Sequence, residues 1–214
     1  SMDLKSTFDD SFFHSFDGMI WTGSSLNIYD NTNEIKNQIS LMKKVSKLPI
    51  KIFGSCWGMQ LYTVCNGGVV SKNIKGREIG ISFNISLNNK GKGHPMYNQK
   101  PIIFDAFASH IDHVTTLPKK ASALSDNHYS IQSLSNKNFW GTQYHPEFNF
   151  QYTGQILNAR KKILLKEKLF SNNQLKNLIS SFKKPSKDSY SRSLMDFKIR
   201  TSELANWLNY IKNN

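Results

Sequence analysis

Cysteine is scarce in this sequence. Two residues, Cys56 and Cys65, in a chain of 214 do not make a disulfide framework. They stand nine positions apart in what reads as one helix, which separates them by about 13 Å at the helical rise and puts a bridge out of reach. A reducing, cytoplasmic setting is the expectation. Long apolar runs are also missing. No stretch approaches the ~20 residues that span a bilayer, so no membrane partner is expected. The opening SMDLKSTFDD is polar and acidic and lacks a secretory pattern, and Ser1-Met2 reads as the remnant of an expression tag. Acidic residues are few beside basic ones, 15 against 28, for a net charge of +13. Such an excess can serve nucleic acid. The lysines are scattered, however, in pairs at 43–44, 119–120, 161–162 and 183–184, with no Arg-rich block and no basic–aromatic alternation. A solvated basic surface is expected, and a nucleic-acid partner is not. Internal repeats and low-complexity tracts are absent. So are a Walker-type phosphate loop and an S-G-G-x-D-S-like pyrophosphatase loop, which leaves no sequence basis for ATP use by this polypeptide. No cofactor is expected.

What remains has the grammar of an α/β fold. GMIWT at 18–22 reads as a short strand ending in a turn-rich loop, GSSLNIYDN. Ile35, Ile39 and Met42 fall at helical spacing, so 33–46 reads as an amphipathic helix, and a strand begins at 50–53. Strand, loop, helix and strand in that order predict a mostly parallel sheet with crossover helices. REIGISFNISL at 77–87 alternates like a half-exposed antiparallel strand. Residues 101–108 are strand-like, and YSIQSLSNKNFWGTQYHPEF reads as a hairpin-type pair running into His145-Pro146-Glu147. Helical patterns then take over, with apolar stripes at Ile156, Ala159 and Ile163, at Leu175, Leu178, Ile179 and Phe182, and at Leu204, Trp207, Leu208 and Ile211. KKPSKDSYSRS is a linker. The expected organisation is an α/β domain over 1–150 and a helical extension over 151–214 packing on it.

One stretch carries chemistry. In KIFGSCWGMQ an apolar strand meets two glycines that bracket Cys56, and a helix-compatible segment follows at once. G-x-C-x-G between strand and helix is the thiol counterpart of the nucleophile elbow. The glycines allow a tight turn, and a helix N-terminus favours the anionic, nucleophilic form of a thiol. A cysteine there is either an armed nucleophile or an inert buried thiol. Cys65, on the apolar side of the same helix, reads as packing. A nucleophile needs a base and the base an orienting group. His145 and Glu147 fit, because side chains two apart on a strand share a face.

GSCWGMQ, REIGI, SHIDHV and GTQYHPEF, in that order, resemble the class I glutamine amidotransferases, with a particular likeness to stand-alone proteins similar to the glutaminase part of GMP synthetase. The likeness covers roughly 17–150. It implies a flavodoxin-like sheet with helices on it, and a Cys56–His145–Glu147 triad that hydrolyses the side-chain amide of glutamine through a γ-glutamyl thioester. It further implies an oxyanion hole from the backbone N–H groups of Trp57 and Ser24, the latter on a Gly23-Ser24-Ser25 loop that lacks the family's usual proline. Gly23, Gln60, Ser109, His110 and Ile111 map to substrate holding. Asp112 reads as structural, and Arg77 with Glu78 as an ion pair bracing the site. His110 and His113 lack the further ligands that a metal needs. The family begins with a further β-strand and helix ahead of the TGS loop, and that first strand is normally central to the sheet. This sequence does not contain it, so either residues precede Ser1 or the sheet is completed in another way.

Three readings follow. The first is a glutaminase subunit that passes ammonia to a separate synthetase. The second is a self-sufficient hydrolase of γ-glutamyl peptides or amides. The third is a non-catalytic binding protein of the same fold.

Overall fold

The computed structural model describes residues 10–213; the tag reading of Ser1-Met2 lies outside them. In chain order the elements are α1 (Asp10–His14), β1 (Gly18–Trp21), α2 (Asn33–Val45), β2 (Lys51–Ser55), α3 (Trp57–Cys65), β3 (Val69–Lys72), β4 (Glu78–Leu87) and α4 (Asn89–Lys92). A 3-10 turn at Pro95–Tyr97 leads to β5 (Ile103–His110), β6 (Asp112–Thr116), β7 (Ser122–Asp126), β8 (Ile131–Asn136) and β9 (Phe139–Thr142). The C-terminal part holds α5 (Phe150–Ala159), α6 (Lys161–Lys166), α7 (Asn172–Lys183), α8 (Arg192–Met195), α9 (Phe197–Arg200) and α10 (Ser202–Asn213).

The α/β architecture is as expected. A seven-stranded sheet runs β1-β2-β9-β8-β7-β4-β5, and β3 pairs with β6 in a separate ribbon. Parallel pairing is concentrated in β1, β2 and β9. From β9 outward the pairings are antiparallel, so the sheet is mixed, with its parallel part at the nucleophile. That part positions the chemistry. Ser55, the last residue of β2, is in register with Thr142, the last of β9. Parallel strands end on the same side, so the segments leaving β2 and β9 emerge together although nearly ninety positions part them. The loop after β1 leaves at the same end, since Trp21 is in register with Gly54. Crevices at the carboxyl ends of such strands are where α/β folds bind ligands.

Local chemistry explains the helices. Thr32 caps α2 by accepting from the N–H of Ile35, and Ile35, Met42 and Val45 are buried beneath it. Ser171 and Gln174 form a reciprocal capping box on α7. The stripe expected at Ile156, Ala159 and Ile163 is corrected. The chain breaks at Arg160 into α5 and α6, and the break turns Leu157 and Leu164 into the core while Ile163 is exposed. On α10, likewise, Trp207 and Glu203 are buried and Leu208 is 46% exposed.

The C-terminal elements pack on the sheet. Trp207 meets Phe53 edge-on, with ring centroids 6.1 Å apart. Phe150 and Phe182 share a cluster with Phe107 of β5. Lys100 and Glu203 form a buried ion pair at 2.9 Å, and Tyr144 donates to the same carboxylate at 2.6 Å.

Candidate active site

Cys56 stands at the turn between β2 and α3 with φ 50° and ψ −97°, a conformation that costs a non-glycine residue strain and is found where function fixes it. Its N–H donates to Thr142 O at 2.7 Å, and its carbonyl accepts the first helical bond from Gln60. The flanking glycines are needed for close approach. A Cβ on Gly58 would lie 2.4 Å from Trp21 O, and one on Gly54 would lie 2.6 Å from the Phe139 ring. The N–H of Trp57 is one of the donors that a helix start leaves without an intrahelical acceptor. Its indole points elsewhere, donating to Gln38 at 2.6 Å.

His145 follows β9 and is fixed by its N–H, which donates to Phe107 O at 2.8 Å. Its Nδ1 lies 2.7 Å from Glu147 Oε1, which leaves Nε2 free of that carboxylate, and the Cys56 sulfur acts electrostatically on the ring. Burial alone would pull the imidazole's pKa down. The pull of Glu147 and of the sulfur overcomes this and raises it from 6.5 to about 10. Burial likewise pushes Glu147 up, and His145, its own backbone and Ser55 more than offset this, so its pKa falls below the ordinary 4.5.

Two cavities adjoin this pair. An inner pouch of about 30 Å³ touches Cys56, Ser24, Gln60, Ser109, His110 and Ile111. An outer cavity of about 660 Å³ touches Gly23, Ser24, Ser109, His145 and Glu147. Every side chain or loop that the sequence assigned to the site, apart from the outward-turned Trp57 indole, therefore borders one of the two. Gly23 lies directly against the imidazole, for a Cβ there would sit 2.6 Å from His145 Cε1. Gln60 donates through Nε2 to Asp112 O at 3.0 Å and to Gln143 at 3.3 Å. Both ring nitrogens of His110 are engaged, Nε2 with Glu78 at 2.9 Å and Nδ1 with Asp112 O at 3.1 Å. Asp112 in turn accepts from the Tyr29 hydroxyl at 3.0 Å. Among the described residues no His, Cys, Asp or Glu cluster is suited to a metal ion.

The Arg77–Glu78 ion pair does not form. Successive strand side chains face opposite ways, so Glu78 is buried on His110 while Arg77 makes a two-pronged pair with Glu167, both contacts 2.9 Å. Sequence reasoning also missed Ser55, whose Oγ lies 2.8 and 3.0 Å from the two Glu147 oxygens and 3.2 Å from His145 Nδ1. It missed Phe148, stacked on His145 at 3.8 Å, and Gln143, whose amide nitrogen is 3.5 Å from the Cys56 sulfur. All three lie inside the motifs quoted above, yet the contacts of Ser55 and Gln143 depend on pairing across the sheet, and that of Phe148 on the turn after His145.

Comparison with known proteins agrees with this geometry. Residues 8–163 match the family model described as "Glutamine amidotransferase class-I". The chain belongs to the class I glutamine amidotransferase family. It is accordingly an enzyme. It is 30% identical over 215 aligned positions to the gamma-glutamyl-L-1-hydroxyisopropylamide hydrolase of a Pseudomonas species, covering 92% of this chain and 73% of that protein. It is 32% identical over 143 positions to a glutamine-hydrolyzing GMP synthase of Borrelia garinii, covering 65% of this chain and only 25% of the synthase. Among solved structures, a glutamine amidotransferase of Thermotoga maritima superimposes with a TM-score of 0.70 at 20% identity, covering 91% of this chain and 78% of that one. That last likeness speaks to the amidotransferase fold alone. Among the described residues no helix is long and apolar enough to cross a membrane.

Proposed function

We propose that the chain hydrolyses the side-chain amide of γ-glutamyl compounds, with glutamine the simplest of them, through a thioester on Cys56. The observation that carries the reading is the meeting of Cys56, His145 and Glu147 at one end of the sheet, beside a pouch. With its pKa raised to about 10, His145 already holds the thiol proton, and Cys56 attacks the amide carbon as the thiolate of that ion pair. The N–H groups of Trp57 and Ser24 receive the oxyanion. When the tetrahedral intermediate collapses, the C–N bond breaks, and His145 returns its proton to the departing ammonia or amine. Water then loses a proton to His145 and attacks the thioester carbon; the C–S bond breaks, glutamate leaves, and the Cys56 thiolate is restored beside the protonated His145. Glu147 holds the imidazole in orientation throughout, as the third member of such triads does.

The outer cavity favours leaving groups larger than ammonia. It lies beside His145, which must protonate the leaving nitrogen, and is walled by Phe148, Tyr152 and Ile156. The similarity to a γ-glutamyl amide hydrolase over nearly the whole chain supports the same choice. A second reading, a glutaminase subunit feeding a separate synthetase, draws on the quarter of the GMP synthase that the chain matches. The test is to incubate purified protein with glutamine and with γ-glutamyl amides of increasing leaving-group size, and to quantify glutamate. Release that Cys56→Ser abolishes, and that is faster for the larger amines, is the expected result. Release from glutamine alone favours the synthetase-linked reading, and no release from any compound defeats both.

A further inference from the structure

The two cavities share a wall to which Ser24, Ser25, Ser109 and Arg160 all contribute. The inner pouch has room for little more than a water-sized group. A γ-glutamyl unit therefore seats only its reacting end there, and the remainder must run along the shared wall.

The charges around this wall are spoken for, with one exception. Glu147 is held by His145 and Ser55, and Asp112 by Tyr29. Arg77 is held by Glu167, and His110 by Glu78 and Asp112 O. Arg160 also lines both cavities, yet its guanidinium makes no hydrogen bond or ion pair among the described residues. Glu167 acts on it from a distance, but both carboxylate oxygens of Glu167 are taken by Arg77. The position of Arg160 is set by the backbone, since its N–H donates to Ile156 O at 2.9 Å and its carbonyl accepts from Leu164 at 3.1 Å. Burial, and then the charge of Arg77, pull its pKa below the ordinary 12.5. A partly buried guanidinium without a counter-ion is a costly arrangement that an anion relieves, and its planar fork matches a carboxylate. Ser109, beside it on the shared wall, has a buried hydroxyl with no partner.

We propose that Arg160 reads the α-carboxylate of the γ-glutamyl unit, so that the site selects γ-glutamyl compounds over otherwise identical amides that lack this carboxylate. The inference rests on the proposed hydrolysis at Cys56. The distances suit it. In an extended glutamyl chain the α-carboxylate carbon is about 5 Å from the reacting carbonyl carbon at ordinary bond lengths, enough to leave the pouch and reach the wall. Arg160 and Cys56 both line the inner pouch, so the guanidinium borders the same small space as the sulfur.

The test compares γ-glutamyl-p-nitroanilide with γ-aminobutyryl-p-nitroanilide, which differs only in lacking the α-carboxylate. The wild type is expected to lose roughly 10- to 100-fold in kcat/KM on the second compound, the range for hydrogen bonds to a charged group. Arg160→Gln should lose as much on the first compound, mainly in KM, with no further loss on the second, and Arg160→Lys should recover part. A wild type that treats the two anilides alike overturns the proposal without any variant, as does an Arg160→Gln loss equal on both. A γ-glutamyl anilide bearing a ring carboxylate checks the leaving side; an Arg160 effect that follows that group instead also overturns it. Binding separates this proposal from the hydrolytic one. In the Cys56→Ala protein, L-glutamine should raise the melting temperature and γ-aminobutyramide should not, and adding Arg160→Gln should abolish the rise. That pattern without turnover in the wild type would retain the carboxylate reader and discard the hydrolase, whereas turnover with a rise indifferent to Arg160 would do the reverse.

Discussion

Glu147 is shared between partners from different strands, His145 two residues before it and Ser55 at the end of β2. The serine hydroxyl carries no chemistry of its own, but it fixes the carboxylate that fixes the base. Ser55→Ala should leave the fold intact and lower kcat by roughly 10- to 100-fold, the worth of a hydrogen bond to a charged group; steady-state kinetics on a γ-glutamyl anilide with a parallel melt will check it. The His145–Glu147 pair also predicts a pH signature. The folded pKa of His145 is raised to about 10 from 6.5, so its contribution to stability is complete below about pH 6.5 and disappears as pH rises through 10. Glu147 is shifted down, so its contribution is present above its ordinary pKa near 4.5 and fades in acid. The stability gap between the wild type and His145→Asn should therefore be widest near pH 5–6 and close toward pH 10, as read by melts across pH. A gap that widens with pH contradicts the ion pair.

At the scale of elements, the elbow works because α3 lies almost on β1. Gly58→Ala would drive a methyl group into the Trp21 carbonyl oxygen, a backbone atom with little freedom to move. Overpacking of this kind costs about 1–3 kcal/mol, and urea unfolding should show a loss of at least that size together with reduced activity. The elbow was legible in the sequence because a strand, two glycines and a helix are local signals. So was the pairing of β8 with β9, since a hairpin keeps its partners close in the chain. The direction of the α5–α6 face was not. A single helical period through Ile156, Ala159 and Ile163 assumes no break, and the turn at Arg160 resets the phase and buries Leu157 and Leu164 instead. Arg160 drew no notice for the same reason. A lone arginine in a basic helical stretch has no sequence signal, and its importance arises only where two cavities meet.

Over the whole molecule, the C-terminal helices and the sheet are joined by buried polar contacts. Lys100 Nζ meets Glu203 and the carbonyl of Ile199, and Tyr144 and Ser202 donate to the same carboxylate. Removing one partner from a buried ion pair costs about 3–5 kcal/mol, whereas replacing both by apolar residues of similar size is far milder. Glu203→Ala should thus lose that much stability by urea unfolding, and Lys100→Met combined with Glu203→Leu should regain most of it. Residues 151–214 and the sheet are predicted to unfold in one transition, and a separate melt of the C-terminal helices would count against that. None of this network is visible as a motif, because it joins positions a hundred residues apart. The general α/β layout, by contrast, follows from the order of local patterns.

The account depends on Cys56 being the atom that takes the glutamyl group. A chloroketone analogue of glutamine, in which sulfur displaces chloride at the position of the amide, tests this by peptide mass spectrometry. One adduct on the Cys56 peptide is predicted, formed faster by the wild type than by His145→Asn and outcompeted by a γ-glutamyl substrate. An unlabelled Cys56, or equal labelling of Cys65, would contradict it.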